Sequence, residues 1–207
     1  MSKIDHIVFD VGRVLLDWNA ELIYSDLIPD VAERKCFLEI CAPWNAEQDR
    51  GTRSWREAED DLIALHPNKE NWIRAYRENW HKSIPSAFNE VVEVMGELIA
   101  NGHDVTLLTN FNDETWAIAQ EKFPFLTESR GVTVSAEVKL IKPDPNIYRH
   151  HSATYDLDPI CTLFFDDSPN NVAGARSAGW LAEEYEGSTG RKVLTRLLQK
   201  YGIELGN

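Results

Sequence analysis

The sequence lacks the short motifs that identify the commonest nucleotide-binding and hydrolase sites. It contains no G-x-x-x-x-G-K-[ST] loop, no G-x-G-x-x-G fingerprint and no G-x-S-x-G elbow. The sequence therefore does not indicate a P-loop nucleotide-binding protein, a dinucleotide-binding protein or a serine hydrolase. Long apolar runs are missing too, because no run approaches the ~20 residues that a membrane-spanning helix needs. We expect no membrane partner.

Positive charge and cysteine are both scarce. The 21 lysines and arginines face 34 aspartates and glutamates, a net charge of −13, which argues against nucleic acid or an anionic membrane as the partner. The three cysteines, Cys36, Cys41 and Cys161, are odd in number and lack metal-ligand spacing. They are typical of free thiols in a reducing compartment. Because the first residues also lack an apolar signal core, we expect a cytoplasmic protein.

Short apolar runs alternate with helical patterns along most of the chain. The clearest runs are Ile4–Phe9, Val105–Leu108, Val132–Val134 and Thr162–Phe165, with a weaker edge candidate at Trp180–Tyr185. Helical patterns cover Phe88–Ala100, Glu114–Lys122, Pro145–Tyr155, Asn170–Ser177 and Lys192–Lys200. This alternation predicts an α/β fold with a parallel sheet. Within the third helical pattern, His150 and His151 are predicted to lie at the surface.

The segment from residue 18 to residue 85 has a different character. It holds five of the seven tryptophans and shows helical patterns without strand alternation. These patterns cover Ala20–Leu27, Val31–Ile40, Ser54–Leu65 and Lys69–Trp80. We interpret residues 18–85 as an all-α insert in a core formed by residues 1–17 and 86–207, a division that the length of the chain permits.

Polar residues of four kinds follow the predicted strands. They are Asp10, the pair Thr109-Asn110, Lys142 before Pro143, and the pair Asp166-Asp167. Because ligands bind beyond the carboxyl ends of parallel strands, we expect these side chains to gather at one sheet edge. A carboxylate nucleophile, a hydroxyl donor, a fixed cation and an acidic pair that attracts Mg²⁺ together suit phosphoryl transfer.

Each of these sites also has a plainer interpretation. Asp10 could close a turn after its strand, Lys142 could be a solvated loop residue, and Thr109-Asn110 could form a turn or cap a helix. One aspartate of the Asp166-Asp167 pair could cap the next helix. Two adjacent carboxylates after a buried run are harder to explain by structure alone, because burying an unpaired charge is costly. The combination favours function.

The order of these four motifs, with a helical insert after the first, resembles the haloacid dehalogenase superfamily of hydrolases. The resemblance runs from Ile4 to about Tyr185, and the place of the insert is similar to that in the subgroup with a helical cap. It implies a Rossmann-like three-layer core with a parallel sheet and an inserted all-α cap. It also implies that Asp10 is the nucleophile, which forms an aspartyl-phosphate, and that Lys142 is the second catalytic residue.

The same resemblance implies how phosphate and metal are held. Thr109, Asn110 and Lys142 would bind the phosphate. A Mg²⁺ ion would be held by Asp10, by the backbone carbonyl of Gly12 and by Asp167, with Asp166 assisting directly or through water.

Gly12 departs from the usual phosphatase pattern of this superfamily. Most of these phosphatases carry a second aspartate two residues after the nucleophile, which acts as general acid and base, and a glycine often follows where this chain has Arg13. A lost general acid typically costs ~10²–10⁴ in rate. The dehalogenases manage without that aspartate, and so do small bacterial phosphatases with an F-D-x-G-x-V-(L/I) motif that act on sugar phosphates such as glucose 1-phosphate. Residues 9–15 resemble the second group.

The leading hypothesis is a Mg²⁺-dependent phosphatase for a small phosphorylated metabolite, with a sugar phosphate as the favoured substrate class. The alternatives are a metal-independent 2-haloacid dehalogenase and a non-catalytic binding protein on the same scaffold.

Trp18, Trp44 and Tyr76 are the aromatic candidates to face the cleft. We expect a monomer or a homodimer.

Overall fold

The centre of the computed structural model, which describes residues 3–205, is a five-stranded sheet in the order β3-β2-β1-β4-β5. Every neighbouring pair of strands is parallel. The strands are β1 (His6–Phe9), β2 (Asp104–Thr109), β3 (Val132–Val134), β4 (Thr162–Asp166) and β5 (Leu181–Glu184). The predicted Rossmann-like α/β fold is confirmed, including the edge strand β5.

The register of the strands brings the predicted site residues to one edge. Phe9 at the end of β1 is level with Leu107 of β2 and with Phe165 of β4. Asp10 and Asp166 therefore leave adjacent strands at the same height. The strand order changes direction between β1 and β4, and such a switch point is where ligands bind in open α/β sheets.

Helices cover both faces of this sheet. They are α5 (Asn89–Ala100), α6 (Asp113–Lys122), α7 (Ser135–Val138), α8 (Pro145–Tyr155), α9 (Pro169–Ser177) and α10 (Arg191–Lys200). Ile7 and Phe9 of β1 pack into one apolar cluster, while Val8 packs into another with residues of α8 and α9. This alternation is what a strand buried on both faces requires, and it explains why β1 reads as a continuous apolar run.

The described residues between 18 and 85 form helices and connecting turns. The α-helices are α1 (Glu21–Tyr24), α2 (Val31–Asp49), α3 (Trp55–Leu65) and α4 (Glu70–Glu78). They share a separate apolar cluster that includes Ile23, Phe37, Leu62 and Ile73. We call this helical segment the cap, and its exact boundaries stay a prediction. Among residues 3–205, none of the helices combines the length and the hydropathy that a membrane span requires.

Two local predictions are wrong. Helix α2 was expected to end at Ile40 but continues to Asp49 with Pro43 inside it, because both Phe37 before and Gln48 after the proline are buried. His151 is fully buried, not at the surface. Its ring nitrogens lie 2.9 Å from Oγ1 of Thr106 and 2.7 Å from Oγ1 of Thr133, so both polar atoms have partners inside the core.

Candidate active site

Asp10 stands directly after β1, at the switch point of the sheet. Its backbone N–H donates to the carbonyl of Phe165 over 2.9 Å, and its Oδ1 accepts the backbone N–H of Val11 over 2.7 Å. The residue is only 7% exposed and lines a cavity. The local turn therefore holds one carboxylate oxygen of Asp10 within a buried site.

Lys142 is the cation of this site. Its Nζ lies 2.7 Å from Oδ1 of Asp10, 2.7 Å from Oδ2 of Asp166 and 3.0 Å from the carbonyl oxygen of Leu108. These acceptors match the three N–H donors of an ammonium group. Lys142 is buried, so the interpretation as a solvated loop lysine is wrong.

Asn110 fixes the loop that carries Lys142. Its Oδ1 accepts the backbone N–H of Lys142 over 2.9 Å, and its Nδ2 donates to the Lys142 carbonyl over 3.0 Å. This reciprocal pair explains how a residue after β2 positions a lysine 32 residues later. Asn110 also lines the cavity. Its contact with phosphate stays a prediction.

Thr109 has a buried hydroxyl without a partner. Its Oγ1 makes no hydrogen bond to any residue that the structure describes, although the side chain is only 1% exposed. An unpartnered buried hydroxyl costs about 1–3 kcal/mol. An oxygen of a bound ligand would remove this cost, which fits the role that the sequence predicts for Thr109.

The two adjacent aspartates after β4 have different surroundings. Asp166 is fully buried; its Oδ1 accepts from the backbone of Ser168 over 2.9 Å and from Nδ2 of Asn171 over 3.0 Å, while Oδ2 accepts from Lys142. The Asp167 side chain is 22% exposed and pairs with Arg13, whose Nε lies 2.9 Å from Asp167 Oδ2. Both carboxylate oxygens of Asp166 are thus occupied by hydrogen bonds within the protein, whereas Asp167 lines the cavity.

Arg13 adopts a left-handed backbone conformation, with φ of 60°. This conformation favours glycine, the residue that the resemblance to the superfamily leads us to expect here. The guanidinium bridges Asp167 and Glu186, with Nη2 lying 2.7 Å from Oε1 of Glu186. Arg13 therefore partly balances the charge of Asp167 from the rim of the site.

The electrostatics of the site show an excess of negative charge. Burial raises the pKa of Asp10 above its usual range; Lys142 lowers it, but Asp166 and Asp167 raise it again. The pKa of Asp167 is also raised, by burial and by Asp166. For Lys142, burial lowers the pKa, but Asp10 and Asp166 outweigh it, so the pKa lies above its ordinary value. One buried ammonium does not balance these carboxylates.

These residues fit a hard divalent cation. One carboxylate oxygen from each of Asp10, Asp166 and Asp167 lies within 4.8 Å of the others. The Gly12 carbonyl accepts no hydrogen bond from the described residues. Such oxygen donors suit Mg²⁺. Asp10, Gly12 and Asp167 are the groups best placed to hold it, because both oxygens of Asp166 already accept hydrogen bonds.

A cavity of about 240 Å³ lies above the sheet edge and reaches the cap. Its cap wall consists of Trp18, Asn45, Gln48, Asp49, Trp55, Tyr76 and Trp80. Of the three aromatic candidates from the sequence, Trp18 and Tyr76 line this cavity. Trp44 lines an adjoining pocket inside the cap. The cavity residues of α2 were not predicted, because they lie beyond the predicted end of that helix. The i, i+4 spacing of Asn45 and Asp49 is the signal that could have found them.

Comparison with known proteins agrees with this arrangement. A family model for haloacid dehalogenase-like hydrolases matches residues 4–179. The chain is 23% identical to the pyrophosphatase PpaX of Bacillus velezensis over 86% of this chain and 81% of that protein. It is 26% identical to (S)-2-haloacid dehalogenase 1 of a Pseudomonas species over 87% of this chain and 83% of that protein.

Solved structures show the same fold. A HAD family enzyme of Bacteroides thetaiotaomicron, a variant in complex with magnesium and inorganic phosphate, superposes with a TM-score of 0.73 at 22% identity. The match covers 92% of this chain and 98% of that one. With the family model spanning most of the chain and the acidic site at the switch point of a parallel sheet, this protein belongs to the haloacid dehalogenase-like hydrolases.

Proposed function

We propose that the protein is a Mg²⁺-dependent phosphatase for a small phosphorylated metabolite, working through an aspartyl-phosphate on Asp10. The observation that carries this proposal is the arrangement of Asp10 against Lys142 and the acidic pair. A buried carboxylate held by a buried ammonium, with a second carboxylate open to the cavity, provides a nucleophile together with a cation site.

From these contacts we infer a task for each side chain. Oδ1 of Asp10 is held by the Val11 N–H and by Lys142, so Oδ2 is the oxygen left to attack phosphorus. The Lys142 ammonium balances charge as the phosphoryl group arrives, and the Thr109 hydroxyl donates to a phosphate oxygen. When bound, Mg²⁺ would neutralise phosphate charge and reduce repulsion between phosphate and the carboxylates.

The cavity supports a small substrate. Its volume of about 240 Å³ suits a metabolite better than a polymer. The aromatic residues of the cap wall offer faces on which a sugar ring can stack, in keeping with a sugar phosphate. Two similar proteins are, respectively, a pyrophosphatase and an enzyme complexed with magnesium and phosphate.

We also place the reaction in the cytoplasm, since Cys36, Cys41 and Cys161 are free thiols.

A phosphatase assay tests this proposal. Hydrolysis of p-nitrophenyl phosphate should require Mg²⁺ and should stop in EDTA. Asp10→Asn should abolish turnover because an amide cannot form the acyl-phosphate, while the control Asp5→Asn, at an exposed aspartate before β1, should behave as the unmodified protein. Equal rates in Mg²⁺ and EDTA, or a surviving rate in Asp10→Asn, would refute the mechanism.

A 2-haloacid dehalogenase is the second candidate. Gly12 in place of the usual acid and the 26% identity to a dehalogenase favour it. A dehalogenase needs no metal, so Asp167, the carboxylate of the pair that lines the cavity, would have no cation to hold there. Release of chloride from 2-chloropropionate in EDTA, without phosphatase activity in Mg²⁺, would establish this alternative. Inactivity in both assays would favour a non-catalytic binding protein.

A further inference from the structure

The core lacks an acid for the leaving group of the proposed reaction. When the P–O bond breaks, the departing oxygen needs a proton unless its alcohol is unusually acidic. Gly12 supplies none, and the cations Arg13 and Lys142 are engaged in ion pairs. Among the described residues that line the cavity, the carboxyl group that comes from the cap is Asp49.

Three contacts hold Asp49 against the core. Ser135 Oγ donates a hydrogen bond to the Asp49 carbonyl. Asn112 Nδ2 donates to the carbonyl of Gln48 over 3.4 Å. Gly51 has a φ of 68° and packs so closely that a Cβ there would lie 2.1 Å from the carbonyl oxygen of Ala136. The last turn of α2 is therefore fixed to segments that follow β2 and β3.

Hydrogen bonds also orient the Asp49 side chain. Tyr76 donates its O–H to Asn45 Oδ1 over 2.7 Å, which directs the Asn45 amide N–H towards Asp49 Oδ2, 3.0 Å away. The other oxygen, Oδ1, accepts no hydrogen bond from the described residues. One oxygen of Asp49 is thus anchored, and the side chain as a whole lines the cavity.

The surroundings of Asp49 favour its protonated form. Burial raises its pKa to about 7. Tyr76 is the titratable neighbour within the cap, and Asp10, Arg13, Lys142 and Asp167 line the same cavity from the core. None of these core cations pairs with Asp49 among the described contacts. A pKa near the working pH suits a group that must both give and take a proton.

We propose that Asp49 is the general acid and base of this enzyme, supplied by the cap in place of the aspartate missing at Gly12. The inference rests on the proposed phosphatase function. As Asp10 Oδ2 forms its bond to phosphorus, the P–O bond to the alcohol breaks, and the Asp49 carboxyl passes its proton to the departing oxygen. Asp49 then takes a proton from water as that water attacks phosphorus, which releases phosphate and frees the Asp10 carboxylate.

The dependence of rate on the leaving group tests this role. Asp49→Asn should reduce kcat/KM for phenyl phosphate by about 10²–10⁴ but change it little for p-nitrophenyl phosphate, whose acidic phenol leaves without a proton. The matched control is Glu39→Gln, which removes one charge from an exposed position on the same helix. It should leave both rates unchanged. An equal loss on both substrates would overturn the proposal, since a purely structural defect does not select by leaving group.

The pH profile gives a second measurement. For phenyl phosphate, kcat/KM should fall above about pH 7 as Asp49 loses its proton, and this limb should vanish in Asp49→Asn. If that variant does not fold, Asn45→Asp places a like charge beside Asp49 and should move the limb to higher pH. An unmoved limb refutes the role of Asp49. An active Asp10→Asn would instead refute the phosphatase mechanism itself, so the two failures are distinguishable.

Discussion

Asp166 and Asp167 are identical side chains on adjacent residues, yet their contacts separate their tasks. Asp166 accepts hydrogen bonds on both oxygens and is fully buried, so it orients Lys142. Asp167 pairs with Arg13 at the rim and keeps access to the cavity. The sequence predicted an acidic pair at this place, but which aspartate is tied down depends on the turn after β4, where the Ser168 N–H and Asn171 converge on Asp166.

Asn171 offers a test at this scale. Asn171→Ala removes the donor 3.0 Å from Asp166 Oδ1, leaving Asp166 and, through it, Lys142 less firmly oriented. Loss of such a supporting contact typically costs about 10–100-fold in metal affinity or activity. Titration of phosphatase activity with Mg²⁺ should show the loss. Asn170→Ala, at the exposed neighbouring position, is the control, and equal activity in the two variants would contradict this role.

Among the elements, α2 connects the cap to the sheet. The strands were predictable because buried parallel strands form continuous apolar runs between turn residues. The end of α2 was not predictable, because a proline normally stops a helix. Helix α2 continues past Pro43 only because residues on both sides of the proline are packed in the interior. As a result, the cap side of the cavity could not be assigned from periodicity, whereas the core side could be assigned from residues next to strand ends.

Substitution of Gly51 tests whether α2 must approach the core so closely. Gly51→Ala places a Cβ 2.1 Å from the Ala136 carbonyl oxygen in a left-handed conformation, so the junction must shift. Gly102→Ala is the control, because Gly102 also has a positive φ of 83° but no atom lies within 4 Å of its added Cβ. The control should lose about 1–2 kcal/mol of stability, the cost of the backbone conformation alone.

Gly51→Ala should lose more stability than the control and should also lose activity, because Asp49 and Gln48 move with the end of α2. Thermal unfolding and kcat/KM measured on both variants decide this. Equal stability and full activity in Gly51→Ala would mean that the junction adapts without disturbing the cleft.

At the scale of the whole molecule, a buried histidine links helix to sheet. His151 of α8 contacts Thr106 of β2 and Thr133 of β3 through its two ring nitrogens. Burial, with smaller contributions from nearby cations, lowers its pKa from 6.5 to about 3. The sequence suggested a surface residue, since nothing in a local pattern shows that two threonines from separate strands meet one imidazole.

This buried imidazole makes the stability depend on pH. Between pH 6.5 and pH 3 the unfolded chain binds a proton at His151 that the folded protein does not bind. The contribution of His151 to the free energy of unfolding is therefore fully present above pH 6.5 and is lost as the pH decreases through this range. From about pH 8 to about pH 5 this one group should remove about 2 kcal/mol.

Denaturant unfolding at several pH values checks this. His151→Gln should be less stable at neutral pH but should lose about 2 kcal/mol less than the unmodified protein on acidification. His150→Gln, at the exposed neighbouring position, should follow the unmodified protein. Parallel pH curves for His151→Gln and the unmodified protein would show that His151 is not neutral in the folded state.

The sequence was sufficient to predict the parallel α/β sheet, the helical character of residues 18–85 and the set of polar residues at the strand ends. It could do so because strand burial and motif position are local properties of the chain. Tertiary packing sets the task of each of these residues: Asn110 and Asp166 hold Lys142, and the Thr109 hydroxyl has no partner among the described residues. It also brings Asp49, which follows no strand, into the cavity from the cap. Those tasks depend on contacts between residues far apart in the chain, which no local pattern encodes.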